Sequence, residues 1–351
     1  MQEHASSTCG WDGGLVLGRK KADGKKEKKR KQDRRTAGMH EQDIRLGELC
    51  GRPGSLNGTA VINTQTDMDA QLLTDAEQSG MEVITLELSE TKAVTQQLPK
   101  KQGTIEVGTA SVIGSRKSQQ DSVFGYESQG RALGIVCDGM GGLAGGEIAS
   151  RAALESIADA WFAQKDIPDI PSFFRREAVR ADKKVYRQER EDGSRLEAGT
   201  TIVAVAVRDD ELYWLSVGDS RLYFIRGTDI LSLNIEHNYR LELNTLLREG
   251  KLTAQEYAAQ EYQAEALISY LGIGNLSLMD VSAKPYLLAD GDIMLLTSDG
   301  LYRSLKEDEI LEIVLKHKKD MQRAAQALTA AVKGRKKQDN TSVVILQYHS
   351  G

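Results

Sequence analysis

From about Thr104 to its end, the chain is predicted to adopt an α+β fold built on antiparallel sheets. Short runs rich in Val, Ile, Tyr and Trp alternate with longer amphipathic segments, without the regular strand–helix–strand rhythm of a parallel sheet. Short polar turn sequences, such as 208–211 and 227–229, separate neighbouring apolar runs as hairpins require. We therefore expect neighbouring strands to pair antiparallel and the helices to pack against them.

The individual elements follow from the spacing of their apolar residues. The strands in the middle of the chain are close enough in sequence to form one antiparallel meander. This meander is predicted from the runs at 200–207, 212–217, 221–226 and 230–233. Two strands within 285–297 and a last strand at 341–348 complete the set. Apolar residues three or four positions apart predict helices at 145–164, 171–191, 238–271, 305–317 and 320–332.

The composition of the chain argues against several classes of protein. The chain has 351 residues and a net charge of -5. Its three cysteines, Cys9, Cys50 and Cys137, form no CxxC pair, which argues against a zinc ribbon and against a disulfide framework. No apolar stretch approaches the roughly 18 residues that a membrane span needs. We expect a cytoplasmic protein.

Residues 1–103 are predicted to form a mostly disordered N-terminal extension. No Phe, Tyr or Trp occurs between Trp11 and Phe124, so the extension lacks the bulky side chains whose burial offsets the entropy cost of ordering. Within it, the basic run 19–35 carries eleven Lys or Arg against three acidic residues. The segment 81–88 alternates well enough to become a strand when something binds it.

Four aspartates share one kind of position, at the end of an apolar strand. Asp138, Asp219 and Asp299 come at the ends of β-runs, and Asp339 comes just before one. Carboxylates placed in this way emerge at a sheet edge, where several together would repel one another unless a cation neutralised them. Without Cys or His clusters, such a set favours hard ions such as Mg²⁺ or Mn²⁺. Any one of these turns, taken alone, is also ordinary turn chemistry.

Six short motifs occur in an order that is more specific than any one of them. They are Gly114-Ser-Arg116-Lys-Ser-Gln-Gln-Asp121, Cys137-Asp138-Gly139-Met-Gly-Gly142 with Gly145-Gly-Glu147, Gly199-Thr-Thr201, Val217-Gly-Asp219-Ser-Arg221, Thr297-Ser-Asp299-Gly300 and Asp339-Asn-Thr341. In order and approximate spacing, the series resembles the PPM family, the metal-dependent phosphatases of type 2C, and particularly its bacterial members. The resemblance implies a catalytic domain over 104–351. It also implies a four-layer α-β-β-α sandwich, in which two antiparallel sheets pack face to face with helices outside.

The resemblance further implies which residues bind metal. Asp138 resembles the carboxylate that bridges two metal ions, and Gly139 resembles the residue whose backbone carbonyl binds one of them. Asp299 and Asp339 resemble ligands of the other ion. Asp219 matches a position associated with a third, more weakly held ion.

The activity implied by the resemblance is hydrolysis of phosphoserine and phosphothreonine in proteins. A water or hydroxide that bridges the two Mg²⁺ or Mn²⁺ ions would attack phosphorus directly. Asp121 matches a residue that hydrogen-bonds metal-bound water. Arg116 is expected to hold the substrate phosphate, because its planar guanidinium offers paired donors.

Several positions depart from the family pattern. Gln119 and Gln120 precede Asp121 where many members have Asn-Glu, which removes a carboxylate from the water shell of the metals. Met140 stands where some relatives have a histidine that is a proposed proton donor. His237 is the only other histidine whose position suggests catalysis, and a structural role is the more frequent one. The segment 238–274 lies where the family has a mobile flap, although its helical pattern is also explained by packing.

The expected partners are phosphorylated proteins of a Ser/Thr kinase signalling pathway. A phosphothreonine at Thr64, Thr66 or Thr85 could dock a forkhead-associated domain. The run 19–35 could attract an anionic partner, but without interleaved aromatic residues it indicates no specific nucleic acid. A solvated tail without function is the simpler interpretation of this run.

Two other functions remain open at the level of sequence. A catalytically silent phosphoprotein-binding regulator could use the same fold as an interaction module. Such a protein would be expected to lose at least one of Asp138, Asp299 and Asp339, and all three are present. A phosphatase dedicated to one regulatory partner, such as a phosphorylated anti-sigma-antagonist protein, would carry the same motifs as a general enzyme.

Overall fold

The computed structural model describes residues 103–142, 145–335 and 338–351. The predicted disordered extension, its basic run 19–35, the segment 81–88 and the candidate docking threonines therefore lie outside the described residues. The division of the chain at 103/104 stays a prediction, although the first described strand begins at Thr104. No described helix has both the length and the apolar character needed to cross a membrane.

Strands form the centre of the described part of the chain and helices flank them. The strands are Thr104–Val112 (β1), Ser122–Ser128 (β2), Arg131–Cys137 (β3), Gly139–Gly141 (β4), Ala198–Thr200 (β5), Ile202–Arg208 (β6), Glu211–Val217 (β7), Arg221–Arg226 (β8), Asp229–Ser232 (β9), Asp280–Val281 (β10), Tyr286–Leu287 (β11), Ile293–Thr297 (β12) and Thr341–His349 (β13). The helices are Gly145–Phe162 (α1), Ile170–Tyr186 (α2), Tyr239–Arg248 (α3), Ala254–Gln260 (α4), Asp299–Tyr302 (α5), Glu307–Lys316 (α6) and Met321–Ala331 (α7), with a 3-10 turn at Glu261–Gln263.

Two antiparallel sheets organise these strands. The first has the order β1-β13-β12-β8-β9, and the second has the order β10-β7-β6-β3-β2, with β11 also paired to β7. The predicted single meander is wrong, because the β6–β7 hairpin belongs to the second sheet and the β8–β9 hairpin to the first. The chain changes sheets at the turn after β7, where Gly218 has a φ of 102°. This backbone conformation is one that glycine adopts at little cost.

Side-chain alternation along the strands packs the two sheets face to face. On β3, Val136 lies in the layer between the sheets, whereas Ile135 packs against α1 and α2. On β13, Val344 lies between the sheets, whereas Ile345 packs against α6 and α7. Because successive strand residues point to opposite faces, each sheet is covered on both sides. The predicted α+β sandwich with outer helices is confirmed.

The segment 238–271 is only partly helical, so the prediction of one helical stretch there is wrong. Helix α3 ends before Gly250, whose φ of 69° takes the backbone out of the helical region. Thr253 then starts α4 with a capping box. After the 3-10 turn, the chain passes through a further turn and a bend, and isolated bridges then pair Leu267 with Asn238 and Leu271 with Thr200 of β5. Backbone pairing of Leu271 with Thr200 thus takes the place of the last turns of the helix predicted for 238–271.

Candidate metal and phosphate site

A polar cleft of about 390 Å³ lies where strands of both sheets end. Asp138 follows β3, and Asp219 lies in the turn after β7. Asp299 begins α5 directly after β12, and Asp339 precedes β13. All four side chains line the cleft. The fold therefore brings together the four strand-end aspartates that the sequence singled out.

The backbone of Asp138 is held by hydrogen bonds to Thr200, the last residue of β5, and to Thr201. Its N–H donates to Thr201 Oγ1 at 3.0 Å, and its carbonyl oxygen accepts from the Thr201 N–H at 2.9 Å and from Thr200 Oγ1 at 2.9 Å. Thr201 Oγ1 is also 2.7 Å from Ser220 Oγ, next to Asp219. These hydrogen bonds fix the backbone of Asp138 relative to the turn that carries Asp219.

Gly139 lies where three segments approach closely. A β-carbon at this position would collide with the carbonyl oxygens of Gly146 and Gln120. The residue also pairs with Thr200 across the short β4–β5 ladder. Only glycine permits this approach of the backbone to the start of α1.

Asp121 is buried beneath the cleft, with 7% of its surface exposed. Its Oδ2 accepts a hydrogen bond from Ser298 Oγ at 2.8 Å. Among the described residues, no donor reaches its buried Oδ1. A buried carboxylate oxygen without a donor is costly, so the geometry leaves Oδ1 able to accept a hydrogen bond from water.

Burial and repulsion raise the pKa values of the cleft carboxyl groups. For Asp138, removal from water is the largest cause of a pKa well above the ordinary range, and the negative charges of Asp121 and Asp299 add to it. Burial, reinforced by Asp299, raises the pKa of Asp219 to about 6. The pKa of Asp299 is also raised, chiefly by burial. The carboxylate cluster therefore favours binding of a cation next to it.

Two arginines supply positive charge to different members of the cluster. Arg116 Nη2 donates to Asp339 Oδ2, and this hydrogen bond is the largest cause of the raised pKa of Arg116. Arg303 Nε lies 3.1 Å from Asp299 Oδ2, and its Nη2 lies 3.5 Å from Asp219 Oδ2. Both arginines line the cleft.

The chemistry of these residues fits a hard divalent ion. Across the described residues, no three carboxylate, imidazole or thiolate side chains already enclose a position for a metal. The cleft nevertheless offers carboxylate oxygens, which Mg²⁺ and Mn²⁺ prefer. The pKa values of Asp138 and Asp219 are raised first by burial and then by neighbouring aspartates, and a bound cation would stabilise the ionised form of both groups.

Comparison with known proteins identifies the family. The family model described as protein phosphatase 2C matches residues 109–338. The chain belongs to the protein phosphatase 2C family. This phosphatase 2C chain is 30% identical over 214 residues to protein phosphatase PhpP of Streptococcus pneumoniae. The matched region covers 60% of this chain and 84% of PhpP.

Solved structures of bacterial phosphatases share the fold. The Streptococcus agalactiae serine/threonine phosphatase is 29% identical with a TM-score of 0.58, and the match covers 69% of this phosphatase 2C chain and 98% of that one. The serine/threonine phosphatase PstP/Ppp of Mycobacterium tuberculosis is 25% identical with a TM-score of 0.58, covering 70% and 99% of the two chains.

All the predicted site residues except Asp121 line the cleft of this phosphatase 2C chain: Arg116, Asp138, Gly139, Asp219, Asp299 and Asp339. Met140 also lines it. His237 is buried beside the cleft, where its Nδ1 accepts a hydrogen bond from the Gly218 N–H at 3.1 Å. Burial lowers the pKa of His237. This histidine therefore supports the turn that carries Asp219.

Two residues without a predicted role hold the site together. Asn340 Oδ1 accepts from the Gln120 N–H at 2.8 Å, and its Nδ2 donates to the carbonyl oxygen of Ile113 at 2.9 Å. It thus ties the segment that carries Arg116 to the one that carries Asp339. Arg303 was also missed, although its spacing of four residues from Asp299 is that of a helical ion pair.

Replacing Asp121 by Asn is expected to change how the stability of the metal-free protein depends on pH. Burial raises the pKa of Asp121 to about 6 in the folded state, compared with about 4 in an unfolded chain. Its protonated form therefore stabilises the fold below about pH 4, and this contribution is lost as the pH rises through about 6. The loss amounts to as much as about 3 kcal/mol, because one pKa unit corresponds to about 1.4 kcal/mol.

Chemical denaturation in EDTA between about pH 4 and 8 measures this effect. The free energy of unfolding of the parent should fall relative to that of Asp121→Asn across the interval. The matched control is Asp229→Asn, an exposed aspartate of β9, which should follow the parent. Parallel pH profiles for the parent and Asp121→Asn would contradict the assignment.

Proposed function

We propose that this chain is a metal-dependent phosphoprotein phosphatase that hydrolyses phosphoserine and phosphothreonine with Mg²⁺ or Mn²⁺. The observation that carries the proposal is one open cleft that joins Asp138, Asp219, Asp299 and Asp339 to Arg116. Membership of the protein phosphatase 2C family supports the reaction type. The relatives in S. agalactiae and M. tuberculosis are serine/threonine phosphatases, which supports the choice of substrate residues.

In this proposal, Arg116 binds the substrate phosphate. Its side chain is 58% exposed and its partner Asp339 is 31% exposed, so a phosphate can reach the guanidinium from solvent. The planar guanidinium can donate two parallel hydrogen bonds to phosphoryl oxygens. Arg116 would thus hold the phosphate beside the carboxylates that would bind the metal ions and would orient it for attack at phosphorus.

Asp138, Asp299, Asp339 and the backbone carbonyl of Gly139 would hold two ions, with Asp219 able to bind a third more weakly. Bound divalent ions supply Lewis acidity, which lowers the pKa of water towards neutrality and neutralises charge on phosphoryl oxygens. Asp121 would contribute its buried Oδ1, which has no donor among the described residues and would orient a water by accepting its hydrogen bond.

The proton for the departing serine or threonine oxygen comes from water in this proposal. Met140 lines the cleft and has no titratable group. His237 is buried beneath the Gly218 turn and hydrogen-bonded through Nδ1. Water in the open cleft is therefore the available proton donor.

We also propose that the protein acts in the cytoplasm, in a signalling pathway in which it removes phosphates that a Ser/Thr kinase adds. Two bacterial relatives are serine/threonine phosphatases, and such enzymes require a kinase to supply their substrates. Docking of a forkhead-associated domain on the threonines of the extension, or of an anionic partner on 19–35, stays a separate proposal.

Hydrolysis of a phosphothreonine peptide by the full chain tests the function. The protein is first treated with EDTA and then supplied with Mn²⁺ or Mg²⁺, and phosphate release is measured. We expect no turnover in EDTA, recovery with either metal, and much slower release from a phosphotyrosine peptide of the same sequence. Turnover in EDTA would exclude metal dependence. Tight binding of the peptide without turnover in Mn²⁺ would instead indicate the silent regulator.

A further inference from the structure

Arg303 joins two carboxylates that come from different parts of the fold. It directly follows α5, four residues after Asp299, and its Nε lies 3.1 Å from Asp299 Oδ2. Its Nη2 reaches across to Oδ2 of Asp219, in the turn after β7, at 3.5 Å. One guanidinium therefore bridges the first residue of α5 and the sheet-changing turn.

The two carboxylates need a nearby cation. The side chains of Asp219 and Asp299 are only 7% and 14% exposed, so solvent screens their repulsion poorly. An uncompensated buried charge is strongly destabilising, and a single positive charge between the two offsets much of that cost. Arg303 supplies this charge from within the chain.

Neighbouring contacts hold Arg303 at this place. The hydroxyl of Tyr302 donates to the backbone oxygen of Asp219 at 3.1 Å, which ties the end of α5 to the turn. The guanidinium of Arg221 lies 3.7 Å from the centre of the Tyr302 ring and is itself paired with Glu236. The position of Arg303 next to Asp219 therefore follows from the packing of α5.

We propose that Arg303 is a tethered cation, whose guanidinium takes the place between Asp219 and Asp299 that a further divalent ion would take. This inference rests on the proposed metal-dependent function. Asp299 keeps a second oxygen for an ion shared with Asp138 and Asp339, whereas an ion at Asp219 must first displace Arg303. The chain therefore binds fewer divalent ions under ordinary conditions than its aspartates alone would allow, and Asp219 is a positioning residue for Arg303.

Counting bound Mn²⁺ tests the inference independently of activity. The free-ion signal in electron paramagnetic resonance gives Mn²⁺ uptake by the parent and by Arg303→Gln, Arg303→Lys and Asp219→Asn. We expect Arg303→Gln to bind about one additional Mn²⁺, or to bind its weakest Mn²⁺ at least about tenfold more tightly, because a cation then fills the place of the guanidinium. Adding Asp219→Asn to Arg303→Gln should abolish the gain, and Arg303→Lys should resemble the parent.

Two controls separate the inference from general charge effects and from misfolding. Arg323→Gln removes a positive charge from the surface pair with Asp320 and should leave Mn²⁺ uptake unchanged. Asp219→Asn in the parent background removes a buried negative charge and should leave the tightly bound Mn²⁺ ions unchanged, which tests the inference without relying on the folding of Arg303→Gln.

Two results would overturn the proposal that Arg303 is a tethered cation. They are the same number and affinity of bound Mn²⁺ in Arg303→Gln and the parent, or loss of a tightly bound Mn²⁺ from the Asp219→Asn single variant. If the parent hydrolyses phosphopeptide with Mn²⁺ and either result is found, only this inference fails. If the parent takes up no Mn²⁺ at all, the proposed function fails with it.

Discussion

Replacement of Asp138 by Asn is expected to lower phosphatase activity by at least about a thousandfold while making the metal-free protein more stable. The loss of activity follows from the proposed role of Asp138 as the carboxylate shared by two ions. Lewis acid stabilisation of the transition state is worth several kcal/mol, and each 1.4 kcal/mol or so changes the rate about tenfold.

The gain in stability has a separate cause. Burial and the charges of Asp121 and Asp299 hold the pKa of Asp138 well above its ordinary range, so this carboxyl group strains the metal-free fold at neutral pH, either by staying charged or by taking up a proton that the unfolded chain does not bind. A neutral asparagine removes that strain and can still fill the same volume. We expect a gain of about 1 kcal/mol or more in EDTA, which corresponds to about 2–4 °C in melting temperature for a domain of this size.

The opposite signs of the two effects make the experiment specific. Phosphopeptide turnover in Mn²⁺ and melting with and without Mn²⁺ should be measured on the same samples. Asp138→Asn should melt higher than the parent in EDTA and should lose most of the stabilisation that Mn²⁺ gives the parent. Asp229→Asn should behave as the parent in every measurement. An Asp138→Asn protein with parental turnover would refute the proposed metal site.

Replacement of Arg116 by Ala is expected to lower kcat/KM by about 10- to 100-fold, with much of the change in KM. Hydrogen bonds to a charged group contribute about 1.5–3 kcal/mol, which sets this range. Arg116 is largely exposed and contacts the described part of the chain mainly through Asp339. Its removal should therefore cost little stability.

The neighbouring Lys117 provides a matched control. It is exposed, carries the same charge and does not line the cleft. Lys117→Ala should leave kcat/KM close to the parent value, because the effect of a surface charge that does not contact the phosphate is screened by salt. Arg116→Lys should recover only part of the activity, since an ammonium cannot make the paired hydrogen bonds of a guanidinium. Equal effects of Arg116→Ala and Lys117→Ala would mean that general charge, and not a specific contact, attracts the phosphate.

The sequence predicted the fold class and the cleft residues because both depend on local patterns. Apolar runs ending in aspartate place carboxylates at the strand ends, and the packing of two sheets then brings Asp138 and Asp299 together. The ordered motifs added Arg116 and Gly139. The tight approach of Gly139 to the backbone of Gly146 explains why a glycine stands at that point.

The remaining features depend on tertiary contacts that no local pattern reveals. Hairpins from one sheet and from two sheets have the same alternation, so this alternation predicts a continuous meander even though the chain changes sheets at Gly218. Residues 264–271 have helical spacing, but pairing of Leu271 with Thr200 determines their backbone. The bridge from Arg303 to Asp219 joins residues that only the folded chain brings close.

The geometry of the cleft depends on how the two sheets pack against each other. Asp138 and Asp219 follow strands of the second sheet, whereas Asp299 and Asp339 adjoin strands of the first. Any sliding of one sheet over the other would separate the two pairs of carboxylates. Neither sheet alone carries all four carboxylates, so the cleft depends on the layer between the sheets, and substitutions of residues in that layer, such as Val136 and Val344, are expected to disturb the cleft without touching it.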